Sequence, residues 1–261
     1  CFKYFRSLDD LNLSLNDDEV KFPCVWKKTK FGYDGYGVKI LKSPSDIENL
    51  PDCEMIIEDF IPFDKELSVI VSRNPSGEVK CYKTVEMKFN KESNQVEYVI
   101  SPANISERVD LIAQDLAVKL SKSLDCIGLL AVEMFLIDDK ILVNEVAPRP
   151  HNSGHFSIEA CESSQFQQHI RSVFNLKLGE THHLGTAIML NLVGAEGYKG
   201  KVYYENLDNV FNCESAHLHL YGKKGTRPNR KMGHVTIICD KFEDSYEIAK
   251  YLKKTIKVKS I

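Results

Sequence analysis

The chain has 261 residues, of which 43% are hydrophobic and 27% are charged, the proportions of an ordinary folded protein. Its 34 Lys and Arg residues stand against 37 Asp and Glu residues, a net charge of −3 that argues against a nucleic-acid partner or an anionic membrane surface. No apolar run approaches the roughly 20 residues that span a bilayer, so we expect no transmembrane helix.

The eight cysteines are dispersed along the chain without a C-x-x-C pair. Several of them, such as Cys24, Cys126 and Cys239, interrupt apolar runs, as small core residues do. This pattern favours neither a disulfide framework nor a structural zinc site. We therefore predict free thiols and a reducing, cytoplasmic setting.

Strand patterns dominate the first hundred residues. Apolar and β-branched runs predict six strands, at residues 22–28, 38–41, 54–60, 66–72, 78–86 and 96–101. A Gly-rich stretch at 31–37 separates the first two strands, and Asn74–Gly77 is a predicted turn. Ser43-Pro44-Ser45-Asp46 has the composition of a helix start.

The second part of the chain alternates helices and strands. Apolar residues at helical spacing predict a helix at 106–124, and the same reasoning gives helices at 163–176 and 244–254. Strands are predicted at 128–136, 141–147, 186–192, 217–221 and 232–238. Because many connections are too short for a crossover helix, we predict an α+β fold with mostly antiparallel neighbours.

Glu133 and Glu145 lie on two neighbouring segments that Asp138-Asp139-Lys140 joins into a predicted hairpin. If the turn centres on Asp139, the two carboxylates are directly opposed and point to the same face. Opposed carboxylates repel unless a cation lies between them, and Mg²⁺ accepts one or two carboxylates together with phosphate oxygens. The pair therefore predicts a magnesium–nucleotide site. Two solvent-facing glutamates on an edge hairpin are equally compatible with these residues alone.

The Gly-rich stretch contains Gly32, Gly35 and Gly37. Glycines let backbone N–H groups approach a polyphosphate closely, although an ordinary hairpin loop has the same composition. A protein kinase also covers ATP with such a hairpin, but its H-R-D and D-F-G motifs are absent from the chain. Lys27 ends the preceding strand, where a lysine either meets a phosphate or extends its charge to solvent.

Three further segments carry polar side chains of possible functional use. The run Arg149–His155 is denser in such residues than core packing requires. The basic run Lys223–Lys231 fits an anionic head group such as a sugar phosphate, or is simply a solvated charge run. Glu58 and Glu66 flank a segment that fits the edge of an adenine, although each of them alone is typical of a surface acid.

In this order, the segments resemble the ATP-grasp superfamily and, within it, the N5-carboxyaminoimidazole ribonucleotide synthetase family. The matching stretches span nearly the whole chain: Phe22–Lys27, Gly32–Gly37, Val132–Phe135, Asn144–His155 and Arg227–His234. The run Asn-Glu-x-Ala-Pro-Arg-x-His-Asn-Ser-Gly-His is the most specific of them. The resemblance implies an ATP-grasp fold, with largely antiparallel sheets and packed helices, followed by a small β-rich carboxy-terminal subdomain.

The resemblance also implies a reaction in two steps. ATP phosphorylates bicarbonate to carboxyphosphate, and the amine of 5-aminoimidazole ribonucleotide then captures the carboxyl group as a carbamate. ADP and phosphate leave. The implied cofactors are ATP and Mg²⁺, and the reaction belongs to purine biosynthesis.

Each candidate residue acquires a role by this resemblance. The metal ligands are Glu133 and Glu145. The ATP-binding residues are Lys27, Gly32, Gly35, Gly37, Glu58, Asp59, Phe60, Ile61, Glu66 and Asn144. The catalytic residues are Arg149, which stabilises the transferring phosphoryl group, and His151, Asn152 and His155, which line the bicarbonate and carboxyphosphate pocket. The ribonucleotide is bound by Tyr33, Asp34, Ser153, Lys223 and Arg230, the last two at its phosphate.

The implied organisation is an ATP-grasp domain at 1–180 and a carboxy-terminal subdomain at 181–261. Within the first, 22–102 covers the nucleotide and 103–180 holds metal and substrate. The family begins with a Rossmann-like domain that does not precede Cys1, so we expect this chain to be part of a longer enzyme, commonly a homodimer. Tyr36 stands where the family usually has a basic residue, which removes one phosphate contact. The alternatives are a catalytically inactive nucleotide-binding module and a related ATP-grasp ligase with another acceptor.

Overall fold

The computed structural model describes residues 2–15, 20–32, 37–90, 93 and 95–261. Two compact units make up the chain: Cys1–Pro62 with Glu92–Gln95, and Phe63–Lys91 with Val96–Ile261. The first unit contains one sheet and the second contains two. No helix in the described part of the chain is long and apolar enough to cross a membrane.

The strands of the described residues are β1 (Phe2–Phe5), β2 (Cys24–Lys28), β3 (Val38–Leu41), β4 (Met55–Asp59), β5 (Lys65–Arg73), β6 (Val79–Cys81), β7 (Val85–Phe89), β8 (Val96–Ser101), β9 (Gly128–Ile137), β10 (Lys140–Ala147), β11 (Thr186–Val193), β12 (Gly200–Glu205), β13 (Ala216–Leu220), β14 (Gly225–Thr226), β15 (Lys231–Cys239) and β16 (Lys257–Ser260). The α-helices are α1 (Leu8–Leu15), α2 (Glu107–Ser123), α3 (Ser157–Ala160), α4 (Gln165–Val173), α5 (Asp208–Phe211) and α6 (Phe242–Thr255). Two short 3₁₀ helices span Pro44–Asn49 and Asn152–Gly154.

The first unit is a four-stranded antiparallel sheet in the order β1-β4-β2-β3. Its core includes Phe5, Leu11, Trp26 and Met55, all buried. The Trp26 indole N–H donates to Met55 Sδ over 3.1 Å, so the buried donor has a partner. Glu58 of β4 lies opposite Val25 of β2, so Lys27, two residues further along β2, lies on the same face of the sheet as Glu58.

The second unit contains a nine-stranded sheet in the order β10-β9-β5-β7-β8-β11-β15-β13, with β6 paired to β5. A three-stranded sheet, β14-β12-β16, accompanies it. The named strand pairs are antiparallel. The large sheet therefore runs without interruption from the 65–147 region of the chain into the 186–239 region.

Helix α2 covers one face of β5 and β9. Val109, Ala113 and Ala117 form its buried stripe and pack in one cluster with Leu67 and Leu130. Its first turn is capped by Ser106, whose hydroxyl accepts a hydrogen bond from the Val109 N–H over 3.3 Å. The helix predicted from apolar spacing is thus confirmed, with both of its ends within one residue.

Strand β11 separates two cores because its side chains alternate between the faces of the sheet. Ile188 and Leu190 pack in the cluster that includes residues of α6. Met189 faces the opposite way and is buried with Phe156 and Ala160. The second face is therefore the one on which the segment around residues 152–160 rests.

The predicted fold class is confirmed, and so are the hairpin β9–β10 and most of the predicted strands. The strand predicted at 78–86 is wrong, because it splits into β6 and β7. Between them the Asp110 carboxylate accepts hydrogen bonds from the backbone N–H of Thr84, at 3.0 Å, and from its hydroxyl, at 2.6 Å. The helix expected after Ser43 is a 3₁₀ helix. Several elements lacked a predicted counterpart: β1, α1, β12, α5, β14 and β16.

The division into compact units differs from the domain bounds predicted from the sequence, which stay a prediction. The prediction of free thiols agrees with the structure, since the seven cysteines that it describes are free.

Candidate active site

In the first unit, the predicted nucleotide residues centre on an ion pair. Lys27 Nζ lies 2.7 Å from Glu58 Oε2, and both side chains are largely buried, at 17% and 27% exposure. Asp59 follows on β4, and Phe60 and Ile61, both half-buried, continue the chain beyond that strand. Lys27 is therefore held by a carboxylate rather than extended into solvent, and its amine is presented beside the segment predicted to lie along the adenine.

The Gly-rich loop is described only at its two ends. Gly32 is exposed, while Gly37 has a φ of +95° and accepts a hydrogen bond from the Lys28 N–H over 2.8 Å. That positive φ favours glycine at position 37. Tyr33, Asp34 and Gly35 lie outside the described residues, so the structure does not place these three predicted site residues.

In the second unit, the hairpin brings Glu133 and Glu145 directly opposite each other, as predicted. The reason differs from the one assumed. The turn lies between Ile137 and Lys140, which alone would leave Glu133 facing Asn144, and a bulge between Val143 and Glu145 restores the opposition. Asn144, predicted to contact ATP, is thus the residue at the bulge.

The two carboxylates differ in environment. Glu133 is 8% exposed, whereas Glu145 is exposed at the edge strand. Glu66, half-buried on β5, pairs with Phe135 across β9 and so lies on the same face, two residues along from this row. No cluster of three or more metal-binding side chains occurs in the described part of the chain. Two carboxylates nevertheless fit Mg²⁺, which completes its octahedron with phosphate and water oxygens.

Glu133 stands at one end of a chain of polar contacts. His151 Nε2 lies 3.3 Å from Glu133 Oε1, and its Nδ1 lies 2.9 Å from Ser153 Oγ. Ser153 Oγ is 2.8 Å from Ser68 Oγ, and Ser68 is the cross-strand neighbour of Glu133. These contacts hold the imidazole of His151 at both ring nitrogens, beside the predicted metal site.

Gln165 anchors the loop that carries His151. Its side chain is fully buried; Oε1 accepts from the His151 N–H at 2.9 Å, and Nε2 donates to the His151 carbonyl at 2.8 Å. Gly154 passes directly over Ile70 and Gln165, where a Cβ atom has no room. Close backbone approach thus requires glycine at this position.

Asn152 and His155 face the strands β11 and β15. Asn152 exchanges two amide hydrogen bonds with Asn191, at 2.9 and 2.8 Å. His155 Nδ1 lies 2.8 Å from Gln165 Nε2, and its ring is tilted against His234 with centroids 5.1 Å apart. Burial, followed by the charge of Lys231, lowers the pKa of His155 to about 4. The ring is therefore neutral at physiological pH.

The predicted anion-binding residues are Arg149, Lys223 and Arg230. Arg149 is exposed and donates to the carbonyl of Pro150 at 3.1 Å. Lys223 donates to the Lys231 carbonyl at 2.6 Å, and its amine lies 5.3 Å from the centroid of the Tyr221 ring. Arg230 donates to the carbonyl of Gly225 at 2.7 Å. A backbone carbonyl thus orients each of the three cations.

Sequence reasoning missed the residues that support this site, among them Ser68, Gln165 and Asn191. Asn191 is a lone polar residue in the apolar run Ala187–Leu192, and that interruption was the available signal. Ser68 interrupts the apolar run Leu67–Val71 in the same way. Nothing in the sequence around Gln165 indicates that its side chain is buried, because its partner is 14 residues away.

The fold and this geometry define a class of protein that comparison with known families also recovers. The ATP-grasp domain model matches residues 2–166, and the model of the phosphoribosylaminoimidazole carboxylase C-terminal domain matches residues 187–247. The chain is thus an ATP-grasp protein with a carboxy-terminal domain of that description.

Comparison with individual proteins shows which family within this class the chain resembles. The N5-carboxyaminoimidazole ribonucleotide synthase of Synechocystis sp. is 40% identical over 248 residues, which cover 90% of this chain and 62% of the relative. The crystal structure of the Thermotoga maritima N5-carboxyaminoimidazole ribonucleotide synthetase is 43% identical with a TM-score of 0.86, over 99% of this chain and 68% of that one. The Aspergillus clavatus synthase, solved with ADP and 5-aminoimidazole ribonucleotide, is 29% identical with a TM-score of 0.84, over 97% and 68%.

This chain belongs to the N5-carboxyaminoimidazole ribonucleotide synthetase family. It spans 62% of the length of the Synechocystis relative and 57% of that of the Bacillus subtilis relative.

Proposed function

We propose that the chain is the ATP-grasp and carboxy-terminal part of an enzyme that carboxylates 5-aminoimidazole ribonucleotide with bicarbonate at the expense of ATP, in purine biosynthesis. The observation that carries the proposal is the row of Glu145 and Glu133, with His151 and Ser153 hydrogen-bonded around it. It is supported by the ligands of the Aspergillus clavatus relative, which are ADP and 5-aminoimidazole ribonucleotide.

In the first step, an oxygen of bicarbonate attacks the γ-phosphorus of ATP, and the bond to the β–γ bridging oxygen breaks to release ADP. Bound Mg²⁺, held by Glu133 and Glu145, would neutralise charge on the β- and γ-phosphates. Lys27, beside Glu58 in the first unit, would bind ATP through its amine, and Glu66 would accept the ribose hydroxyls. Arg149, exposed at the end of β10, would stabilise the transferring phosphoryl group.

In the second step, the exocyclic amine of the ribonucleotide attacks the carboxyl carbon of carboxyphosphate, and phosphate leaves. Asn152, His151 and His155 would line the pocket in which carboxyphosphate forms. Since the pKa of His155 is lowered to about 4 by burial, its ring adds no positive charge there. Lys223 and Arg230 would bind the phosphate of the ribonucleotide, a task suited to charged donors that backbone carbonyls already orient.

The proposal extends to the setting of the protein. We place it in the cytoplasm, which is supported by the free thiols of the described cysteines, and we propose a homodimer by the family resemblance. Sedimentation equilibrium at several protein concentrations tests the dimer, which a single species of 29.7 kDa would contradict.

The decisive experiment is ADP release with Mg-ATP and bicarbonate, measured with and without 5-aminoimidazole ribonucleotide. The Thermotoga maritima relative serves as the positive control. Release that the ribonucleotide stimulates in this chain supports the proposal. Release that is the same with and without it, in a chain that binds ATP by calorimetry, overturns the assigned acceptor and leaves an ATP-grasp protein with another substrate.

A further inference from the structure

A polar row crosses the part of the large sheet that lies in the carboxy-terminal region. Asn191 on β11 pairs with His234 on β15, and His234 pairs with His219 on β13. Directly opposed residues of antiparallel strands point to the same face, so the three side chains stand side by side. The rings of His219 and His234 are stacked, with centroids 4.5 Å apart.

The segment 152–159 meets this row at three points. Asn152 exchanges amide hydrogen bonds with Asn191, and the His155 ring contacts the His234 ring. The Glu159 carboxylate accepts from His219 Nε2 over 2.6 Å. The contacts come three and four residues apart, the spacing of one face of the 3₁₀ and α-helical turns that this segment forms.

The same row reaches the predicted phosphate-binding residues. His234 Nδ1 lies 3.0 Å from the hydroxyl of Tyr221, whose ring lies under the Lys223 amine. A continuous set of contacts therefore joins His155, in the predicted carboxyphosphate pocket, to Lys223, at the predicted ribonucleotide phosphate. Asn191 and His234 are 6% and 2% exposed, so these two residues are buried, whereas Tyr221 and Lys223 are half-buried.

We propose that Asn191, His234 and His219 are positioning residues for the reaction under "Proposed function", on which this inference rests. They seat Asn152, His155 and Glu159 on the sheet, and through Tyr221 they hold Lys223 in register with that segment. One row of the carboxy-terminal region thereby positions the residues predicted to bind carboxyphosphate and those predicted to bind the ribonucleotide. Displacement of a reacting group by about 1 Å costs up to roughly a hundredfold in rate, which is why such a row has value.

The first test replaces Asn191 with Leu, which keeps the size of the side chain and removes its amide. We expect Asn191→Leu to lower kcat about tenfold or more, while KM for ATP stays within about twofold, since Asn191 touches no predicted ATP residue. The matched control is Thr236→Val. Thr236 follows His234 on the same face of β15, and its buried Oγ1 has no hydrogen-bond partner among the described residues. A kcat of Asn191→Leu equal to that of Thr236→Val overturns the proposal.

A second pair of variants guards against a merely structural effect. His219 is half-buried, so its replacement is tolerated more readily than that of His234. We expect His219→Leu to lower kcat and His219→Gln to restore most of it, because the Gln amide donates to Glu159 as the imidazole does. Equal rates for the two variants, at equal melting temperatures, contradict the role of the Glu159 contact.

A measurement independent of turnover separates this inference from the proposed function. In ¹⁵N- and ¹³C-labelled chain, we expect Asn191→Leu to shift the Asn152 side-chain amide and His155 ring signals, and Thr236→Val to leave them in place. If the parent chain shows no ribonucleotide-stimulated turnover, the proposed function fails. The signals still test whether the Asn191–His234–His219 row positions Asn152 and His155. If the signals do not shift in Asn191→Leu, this further inference is wrong.

Discussion

Two polar rows cross the same face of the large sheet, and they differ in whether a bound ligand must neutralise their charge. Glu145, Glu133 and Ser68 form the first, over β10, β9 and β5. The second is the Asn191–His234–His219 row. In the first row two like charges face each other, and a bound cation relieves their repulsion. In the second, Asn191 and His219 have partners within the chain itself. The first row therefore calls for a bound cation, whereas the second row is held by contacts within the protein.

Among the proposed variants, Glu133→Gln in the first row should have the largest effect on activity. We expect ADP formation to fall about a hundredfold or more, because the predicted metal ligand is lost. The free energy of unfolding should stay the same or rise, since repulsion between the opposed carboxylates disappears. Steady-state ADP release and urea denaturation measure the two effects.

Glu180→Gln is the matched control, because Glu180 is an exposed acid that pairs with Lys80 far from the row along the chain. Its activity should equal that of the parent chain. An active Glu133→Gln variant would show that the metal assignment is wrong.

Gly154→Ala disturbs both rows at once, because its neighbour Ser153 contacts Ser68 of the first row and its neighbour His155 contacts His234 of the second. The added methyl group meets the Ile70 side chain and Gln165, so we expect a loss of about 1–3 kcal/mol in the free energy of unfolding, with lower activity. Gly225→Ala is the control, since only the carbonyl of Gly200 comes near its Cβ position, at 3.4 Å. Urea denaturation measures the free energy of unfolding of both variants. Equal values would contradict the close approach of Gly154 to Ile70 and Gln165.

Lys27→Met tests nucleotide binding in the first unit, which contains neither row. Loss of a charged donor to ATP should raise the Kd for ATP about tenfold, with about 1 kcal/mol or less of change in stability. Lys30→Met is the control, because Lys30 pairs with Glu54 on the exposed surface. Isothermal titration of ATP measures both, and an unchanged Kd in Lys27→Met removes that residue from the nucleotide site.

Acid should weaken the region around the second row. Burial lowers the pKa of His155 to about 4, that of His183 to about 4 and that of His234 to about 3. The unfolded chain therefore binds more protons than the folded one as the pH falls from about 6.5 toward 4, and stability decreases over this window. Above about pH 6.5 the contribution of these groups is constant.

His183→Gln provides the test, because His183 belongs to neither row. In this variant the free energy of unfolding should change less steeply between about pH 6.5 and 4 than in the parent chain, because one fewer buried histidine takes up a proton on unfolding. Urea denaturation at several pH values measures the slope, and identical slopes would show that His183 is not buried in its neutral form.

The candidate site was predictable where chemistry is local in sequence. The run from Arg149 to His155 and the two glutamates of the hairpin are visible as residue types at short spacing. The opposition of Glu133 and Glu145 was also predicted, yet it arises from the bulge at Asn144, and a bulge is a property of the folded pair of strands that no spacing rule reveals.

The sequence by itself determined the fold class, the hairpin, the main helices and the residues with reactive side chains, because these follow from periodicity, turn chemistry and composition. Only the tertiary structure decided which other polar residues support them. Asn191 reaches Asn152 across 39 positions and His219 reaches Glu159 across 60, and such pairings depend on strand order and register. Register is set by how the whole sheet buries its apolar faces, so it exists only once the chain is folded.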